Sequence, residues 1–338
     1  MPEVKTLNDV ATIAQVSPST VSRILNGTAV VAKDKRERVL KAIEELNYRP
    51  NVIAQGLARG QSMTIGVVTQ AISSPFYGEA LAGVEEGLEG SGYHALFASG
   101  HWRVNEEREA LALLTSRRVD AIILTGSSIP DFELQQLAKS LPTVVVGRIV
   151  PGLEDFCISV DNMQAGSIGL QYLISLGHRQ IAYISGTGTV QGDALERLEA
   201  YRSTLENAGI SFDPNLVVEG DYKEQSCLFG IESLFARGAI FTAVACANDQ
   251  SAYGARLALY RRGIRVPDDV SLIGFDDLQS SMYTTPPLTT VRQPIVEMGR
   301  LASKLALSIL RGTPFKPSSI QAQLVIREST AILRGTRA

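Results

Sequence analysis

Residues 6–28 read TLNDVATIAQVSPSTVSRILNGT. Thr6 is a good N-cap, because its hydroxyl can accept from the free amides of a first helical turn. Leu7, Val10, Ala11 and Ala14 follow at the spacing of one helix face. Gln15-Val16 interrupts that face, and Ser17 then caps a second helix with Pro18 in its first turn, where a missing N–H costs little. The second helix runs to a stop at Asn26-Gly27. Its residues Val21, Ile24 and Leu25 face inward, leaving Ser19, Thr20, Ser22, Arg23 and Asn26 outward. Two short helices joined by a tight turn, the second presenting hydroxyls and an arginine, are what a reader of the DNA major groove needs. Arginine forks onto guanine O6 and N7, and hydroxyls reach phosphates and base edges. A helical hairpin with a solvated polar face fits these residues equally well.

Working outward, residues 33–47 form a third helix with Val39, Leu40, Ile43 and Leu46 as its buried stripe. It stops at Tyr48-Arg49-Pro50. Residues 52–60, VIAQGLARG, hold two glycines and too little apolar surface to fold alone, so they read as a linker. Residues 1–60 carry nine Lys/Arg against six Asp/Glu, whereas the whole chain has a net charge of −3. A basic head on an acidic body fits nucleic acid at one end only.

From Met63 short apolar runs alternate with amphipathic helices. Strands are expected at 65–68, 95–98, 121–124, 144–146 and 157–160, and again at 181–184, 216–218, 243–245 and 271–274. Runs without polar alternation imply strands buried on both faces, hence parallel sheets covered by helices. The two series repeat one layout, which predicts an α/β body of two doubly wound lobes with ligand between them at the carboxyl ends of the strands. The chain is expected to cross between lobes near Asp161, Thr290 and residues 321–323.

The 338 residues are 45% hydrophobic, and no apolar run approaches the ~18 residues that a bilayer span needs. The first ten residues lack the apolar core of a signal peptide, so a cytoplasmic protein is expected. Three cysteines and three histidines show no ligand spacing, which argues against a metal site. Catalysis and cofactors are equally poorly supported. The stretch Ser185-Gly186-Thr187-Gly188-Thr189 lacks the lysine of a P-loop and the spacing of a dinucleotide fingerprint, and no G-x-S-x-G elbow occurs.

Sugar binding needs planar groups for vicinal hydroxyls and an aromatic face for the apolar side of the ring. Asn248-Asp249 and Asp276-Asp277 stand at expected strand ends, Arg197 opens a helix, and Phe76, Tyr77 and Tyr222 supply rings. Asn and Asp at such junctions serve equally often as helix caps. Trp102, the single tryptophan, follows the second strand and is expected to be a surface anchor.

The opening stretch, with ELNYRPNVIAQGLARG at 45–60 and TIGVV at 64–68, resembles the lactose/galactose-repressor family of bacterial transcription regulators. The likeness continues through ERLEAYRSTL (196–205), TAVACANDQSAYGA (242–255) and VPDDVSLIGFDD (266–277). It implies a helix-turn-helix head over 1–49 and a hinge helix over 50–61 that forms on DNA. It also implies a sensor resembling type I periplasmic binding proteins, with lobe 1 over 62–160 and 291–321 and lobe 2 over 161–290 and 322–338. By the resemblance, Thr6, Ser17, Ser19, Thr20, Ser22, Arg23, Asn26, Asn51, Ala54 and Leu57 meet DNA. Leu57 of each subunit would act as a minor-groove wedge. Arg197, Asn248 and Asp276 would bond effector hydroxyls, Tyr222 would stack on the ring, Phe76 would line the opposite lobe, and Arg148 and Asp161 would lie where the first lobe ends. Gln55 stands where the family usually has Arg, and Pro18-Ser19 departs at the start of the recognition helix, so no operator sequence is implied.

RIVPGLEDFCISVD (148–161) and PPLTTVRQPIVEMG (286–299) resemble the galactose-repressor subgroup, which implies galactose or a related hexose as effector. The expected partners are a pseudo-palindromic operator, a sugar and a second copy of the chain; no leucine heptads follow the last motifs, which favours a dimer over a tetramer. A repressor activated by a purine-like corepressor, and a cytosolic sugar-binding protein without DNA activity, are the alternatives.

Overall fold

The computed structural model describes residues 5–26, 31–48, 60–187, 192–318 and 320–333, and the Asn26 side chain is not among the features described. The expected hinge contacts Asn51, Ala54 and Leu57 lie outside these residues. The chain divides into two compact units, Met1–Ser62 and Met63–Ala338.

The first unit packs α1 (Leu7–Ala14), α2 (Pro18–Asn26) and α3 (Lys33–Leu46) around Val10, Ala11, Ala14, Val21, Val39 and Ala42. Thr6 and Asp9 form a capping box at α1: the Asp9 amide donates to the Thr6 hydroxyl at 3.4 Å, and Asp9 accepts from the Thr6 amide at 2.7 Å. In α3 the buried stripe is Val39 and Ala42, with Ile43 and Leu46 packed beside them, whereas Leu40 is 50% exposed. Positions 39, 42, 43 and 46 share one face at 100° per residue, and Leu40 sits a quarter-turn off it.

The second unit holds two sheets. The first comprises β1 (Thr64–Thr69), β2 (His94–Ser99), β3 (Ala121–Thr125), β4 (Thr143–Val146) and β5 (Cys157–Ile158), all parallel in the order β2-β1-β3-β4-β5. It is accompanied by α4 (Pro75–Leu88), α5 (Val104–Ser116) and α6 (Asp131–Ser140). The second comprises β6 (Ile181–Ser185), β7 (Val217–Glu219), β8 (Ala243–Cys246), β9 (Ser271–Asp276), β10 (Thr289–Arg292) and β11 (Gln323–Val325), in the order β11-β10-β9-β8-β6-β7. Only β11 runs antiparallel, against β10. Its helices are α7 (Asn162–Ser175), α8 (Asp193–Asn207), α9 (Glu224–Ala236) and α10 (Asp249–Arg261). Every residue of β3, β4, β6, β8 and β9 is buried, as two-sided helix cover requires.

The chain returns to the first lobe as α11 (Ile295–Arg311), which lies against α4. The approach is close: a Cβ on Gly83 would stand 2.0 Å from the Val296 carbonyl oxygen, so only glycine lets the two backbones meet there. The expected division at residues 290/291 needs correction. Val291 pairs with Phe275 and Arg292 with Asp276 in the second sheet, so the crossing follows Arg292, at Gln293-Pro294. Strands β10 and β11 were absent from the expected set. All three cysteines are free and buried. Among the described residues no helix is long and apolar enough to cross a membrane, and no His/Cys/Asp/Glu cluster could hold a metal ion.

Candidate effector cleft and DNA-reading helix

In the first unit, Ser17 holds the start of α2: its hydroxyl accepts from the Thr20 amide at 3.3 Å and lies 2.9 Å from the hydroxyls of both Ser19 and Thr20. Ser19 and Arg23 are exposed, while Thr20 and Ser22 are half-buried. Helix α2 therefore presents hydroxyls and one guanidinium on its solvent side. The Thr6 hydroxyl is engaged, donating to Asp9 Oδ2 at 2.8 Å, and these bonds to Thr6 hold the Asp9 carboxyl below its ordinary pKa.

In the second unit, parallel strands point their carboxyl ends at the space between the lobes, and helix starts there supply polar groups. Arg197, on α8, is buried. Its Nε donates to Asn162 Oδ1 at 3.2 Å, Nη1 donates to the Ala247 carbonyl at 2.9 Å, and Nη2 lies 3.3 Å from Asp193 Oδ2. Its guanidinium sits over the Phe275 ring at 3.9 Å, which fixes its plane. Among the described residues Nη1 donates one hydrogen bond and Nη2 makes only the ion pair with Asp193, so each terminal nitrogen keeps at least one N–H without a hydrogen-bond partner there. Burial works against its charge, but Asp193, Tyr222 and Asp276 more than offset that and hold its pKa above the usual value.

Asp276 ends β9 in a left-handed conformation (φ 116°), and Asp277 follows at φ 62°. The two carboxylates diverge. Asp277 accepts from Arg292 and Arg327, each at 2.6 Å, while buried Asp276 accepts at Oδ1 from Gln293 at 2.8 Å. Burial pushes the Asp276 carboxyl well above the aspartate range; Arg197 pulls it back and Asp249 adds to the rise. Its Oδ2 takes no hydrogen bond from the described residues.

Asn248 is both helix cap and cleft residue. Its Oδ1 accepts from the Ser251 amide at 2.9 Å, capping α10, and its Nδ2 donates to the Tyr222 carbonyl at 3.1 Å. Tyr222 is held in a left-handed turn (φ 65°), with its hydroxyl 3.5 Å from Asp193 Oδ2. Its ring packs on Gly186, where a Cβ would come within 2.0 Å of it.

Across the cleft, Phe76 of α4 packs with Ala80, Leu278 and Ile295, and its ring lies 5.1 Å from that of Tyr77. Tyr77 is buried, and burial together with Asp193, Tyr222 and Asp276 of the other lobe raises its hydroxyl pKa. Further lobe-to-lobe bonds are Ser74 to Gln250 at 3.5 Å and the Gln279 amide to Glu79 at 3.4 Å.

The structure thus gathers Arg197, Asn248, Asp276 and Tyr222, with Phe76 opposite. Arg148 and Asp161 are engaged elsewhere: Arg148 pairs with Asp131 and donates to the Ile129 carbonyl at 2.6 Å, and exposed Asp161 caps α7 through the Gln164 amide at 2.9 Å. Buried Asn162, which bonds Arg197 and Glu196, was missed by sequence reasoning, as was Gln293. Helix α7 carries the signal for Asn162, because a polar residue one place past the cap falls on the inward face. A cavity of about 900 Å³ between residues 157–159 and 313–318 contains none of these groups.

The chain as a whole has relatives among known proteins. Residues 6–51 match the family described as bacterial regulatory proteins, lacI family, and residues 170–330 match a periplasmic binding protein-like domain. The chain is 38% identical over 310 residues to the HTH-type transcriptional regulator GalR of Escherichia coli strain K12, covering 91% of this chain and 90% of that one. It is 34% identical over 330 residues to the ribose operon repressor of Haemophilus influenzae, covering 97% of each. A crystal structure of the lac repressor dimer bound to operator and the anti-inducer ONPF superposes with a TM-score of 0.86 at 29% identity, covering 97% of this chain and 100% of that one.

Proposed function

The chain belongs to the lacI family of bacterial regulatory proteins and is a transcription regulator rather than an enzyme; from that premise we propose a repressor whose hold on a pseudo-palindromic operator is set by a hexose bound between its lobes. The observation that carries the reading is the convergence of Arg197, Asn248, Asp276 and Tyr222 at one cleft, with Phe76 across from them. Among the described residues Arg197 keeps an N–H on each terminal nitrogen, and Asp276 keeps Oδ2, for ligand hydroxyls, which suits a polyol better than an anion. Tyr222 offers its ring to the apolar face of the sugar. Galactose is the first candidate, on the strength of the motifs at 148–161 and 286–299.

In this reading residues 1–49 are the DNA-reading head and 50–61 a hinge whose Asn51, Ala54 and Leu57 meet the duplex. Thr20, Ser22, Arg23 and Asn26 of α2 enter the major groove, and Ser17 and Ser19 reach phosphate. Two copies of the chain pair so that two heads span the operator. Closure of the lobes on sugar shifts the paired first lobes, separates the hinges and releases DNA.

Titration calorimetry of the full chain against a panel of hexoses, with and without operator DNA, tests this. Galactose should bind and should weaken operator binding, and Asp276→Ala should abolish the sugar heat while leaving operator affinity intact. No heat from any hexose would overturn the reading; a sugar that tightens operator binding would reverse the sign of control.

A further inference from the structure

We propose that Trp102 is a specificity-determining residue of the cleft, its indole receiving the second ring of a glycoside whose first ring is held by Arg197 and Asp276. The inference rests on the carbohydrate reading above and narrows it, from a bare hexose to a hexoside carrying a second sugar or an aryl group.

Trp102 is the single tryptophan of the chain and is 49% exposed. It is no simple surface anchor. His101 (φ 50°) and Trp102 (φ 59°) are consecutive non-glycine residues in the left-handed region, a conformation that persists only where the surroundings over-determine it. Here the determinant is Gln70, fully buried at the end of β1. Its backbone carbonyl accepts from the His101 amide at 3.0 Å, its Oε1 accepts from the Trp102 amide at 2.7 Å, and its Nε2 donates to the Gly126 carbonyl. A buried polar side chain and a strained turn are thus spent on presenting an indole that stays half in water.

What the indole joins is a wall of the cleft. Its ring lies 6.0 Å from Tyr77, edge to face, and Tyr77 lies 5.1 Å from Phe76. The three rings form one continuous apolar strip on the first lobe. Tyr77 is its inner part, buried and within electrostatic reach of Asp193, Tyr222 and Asp276, and Trp102 is its open end. A pyranose seated on the polar groups occupies the inner part. Any substituent running toward the mouth meets Trp102, whose flat apolar face is matched by the C–H face of a second sugar ring or by an aryl ring.

Because the chain has one tryptophan, its emission reports on the surroundings of Trp102 alone. The full chain is titrated with D-galactose, lactose, melibiose and phenyl β-D-galactoside, following both heat and fluorescence. At least one of the three galactosides should bind about tenfold more tightly than galactose and shift the emission at saturation. Trp102→Ala should remove that preference while holding galactose affinity within about twofold, and Trp102→Phe should restore most of it. Galactose binding combined with no preference among the galactosides, or a preference that survives Trp102→Ala, overturns the role of Trp102 and leaves the carbohydrate reading standing. No heat from any of the four sugars removes the galactose-based carbohydrate reading and this inference with it.

Discussion

Gln293 donates its side-chain amide to Asp276 Oδ1 at 2.8 Å, and its backbone N–H reaches the Asp276 carbonyl at 3.3 Å. The residue at which the chain leaves the second lobe for α11 is therefore bonded to the acid proposed to take the sugar. Gln293→Leu removes the donor from a buried carboxylate without changing the crossing, a loss of ~1–3 kcal/mol. Sugar affinity measured by calorimetry should fall about 10- to 100-fold while operator affinity without sugar holds. Unchanged sugar affinity would show that the bond serves only the fold.

The cleft should respond to pH through Asp276. Burial raises its pKa well above the ordinary aspartate value, so it takes up its proton at a higher pH than exposed aspartates do. Sugar hydroxyls donate most strongly to the ionised form. Binding should therefore release protons, and affinity should rise with pH across the raised pKa. Calorimetry in buffers of different ionisation enthalpy reads the proton release directly. Proton uptake on binding would contradict the assignment.

Asp249 gives a stability effect of definite sign. Its buried carboxylate accepts from Leu278 N (2.8 Å), Ser281 Oγ (2.6 Å) and Thr290 Oγ1 (2.6 Å), yet burial outweighs these bonds and lifts its pKa from 3.8 to about 7. Between those values the folded chain keeps a proton that the unfolded chain has lost. The contribution of Asp249 to stability therefore falls as pH rises from about 4 to 7 and is constant above, a change on the order of a few kcal/mol. Urea unfolding at pH 5, 6, 7 and 8 should show a slope in the native chain that Asp249→Asn flattens.

Much of this architecture was legible because parallel strands advertise themselves. Runs such as 65–68 and 243–245 are apolar on both faces and need no partner to be recognised. Strand β10 was not, since its residues Thr289 and Thr290 look half-polar; they are buried only because their hydroxyls find Thr330 and Asp249. The same limit applies to the cleft. Arg197, Asn248, Asp276 and Tyr222 stand in local patterns that can be read one at a time. Asn162 lay hidden behind the more conspicuous Asp161, and Gln293 sits in no recognisable pattern. Trp102 gave no sign of Tyr77, because their contact exists only once β1 and β2 pair.

In the head, Thr6 can be separated from DNA contact. Its hydroxyl and amide both engage Asp9, so Thr6→Ala should cost α1 about 1 kcal/mol of capping. Thermal melting of the head should fall accordingly, with base preference at the operator unchanged. Altered base preference would mean that Thr6 reads DNA rather than holding the helix that carries it.

Gly186 offers a way to disturb the sugar wall without touching a polar group. A Cβ there would stand 2.0 Å from the Tyr222 ring, so Gly186→Ala must turn the ring off its present plane. Lost stacking of ~0.5–1.5 kcal/mol lowers sugar affinity up to about tenfold. The coupling between sites is a different quantity. If sugar and operator oppose each other, each weakens the other by one common factor, which depends on how differently each ligand binds the two conformations, so a stacking loss shared equally by both conformations cancels from it. The ratio of sugar affinities without and with operator should therefore be the same in Gly186→Ala as in the native chain, although both affinities drop. Calorimetry under the two conditions supplies that ratio. A changed ratio would place the Tyr222 ring in the switch itself, and a variant that binds operator poorly without sugar would place it in the fold.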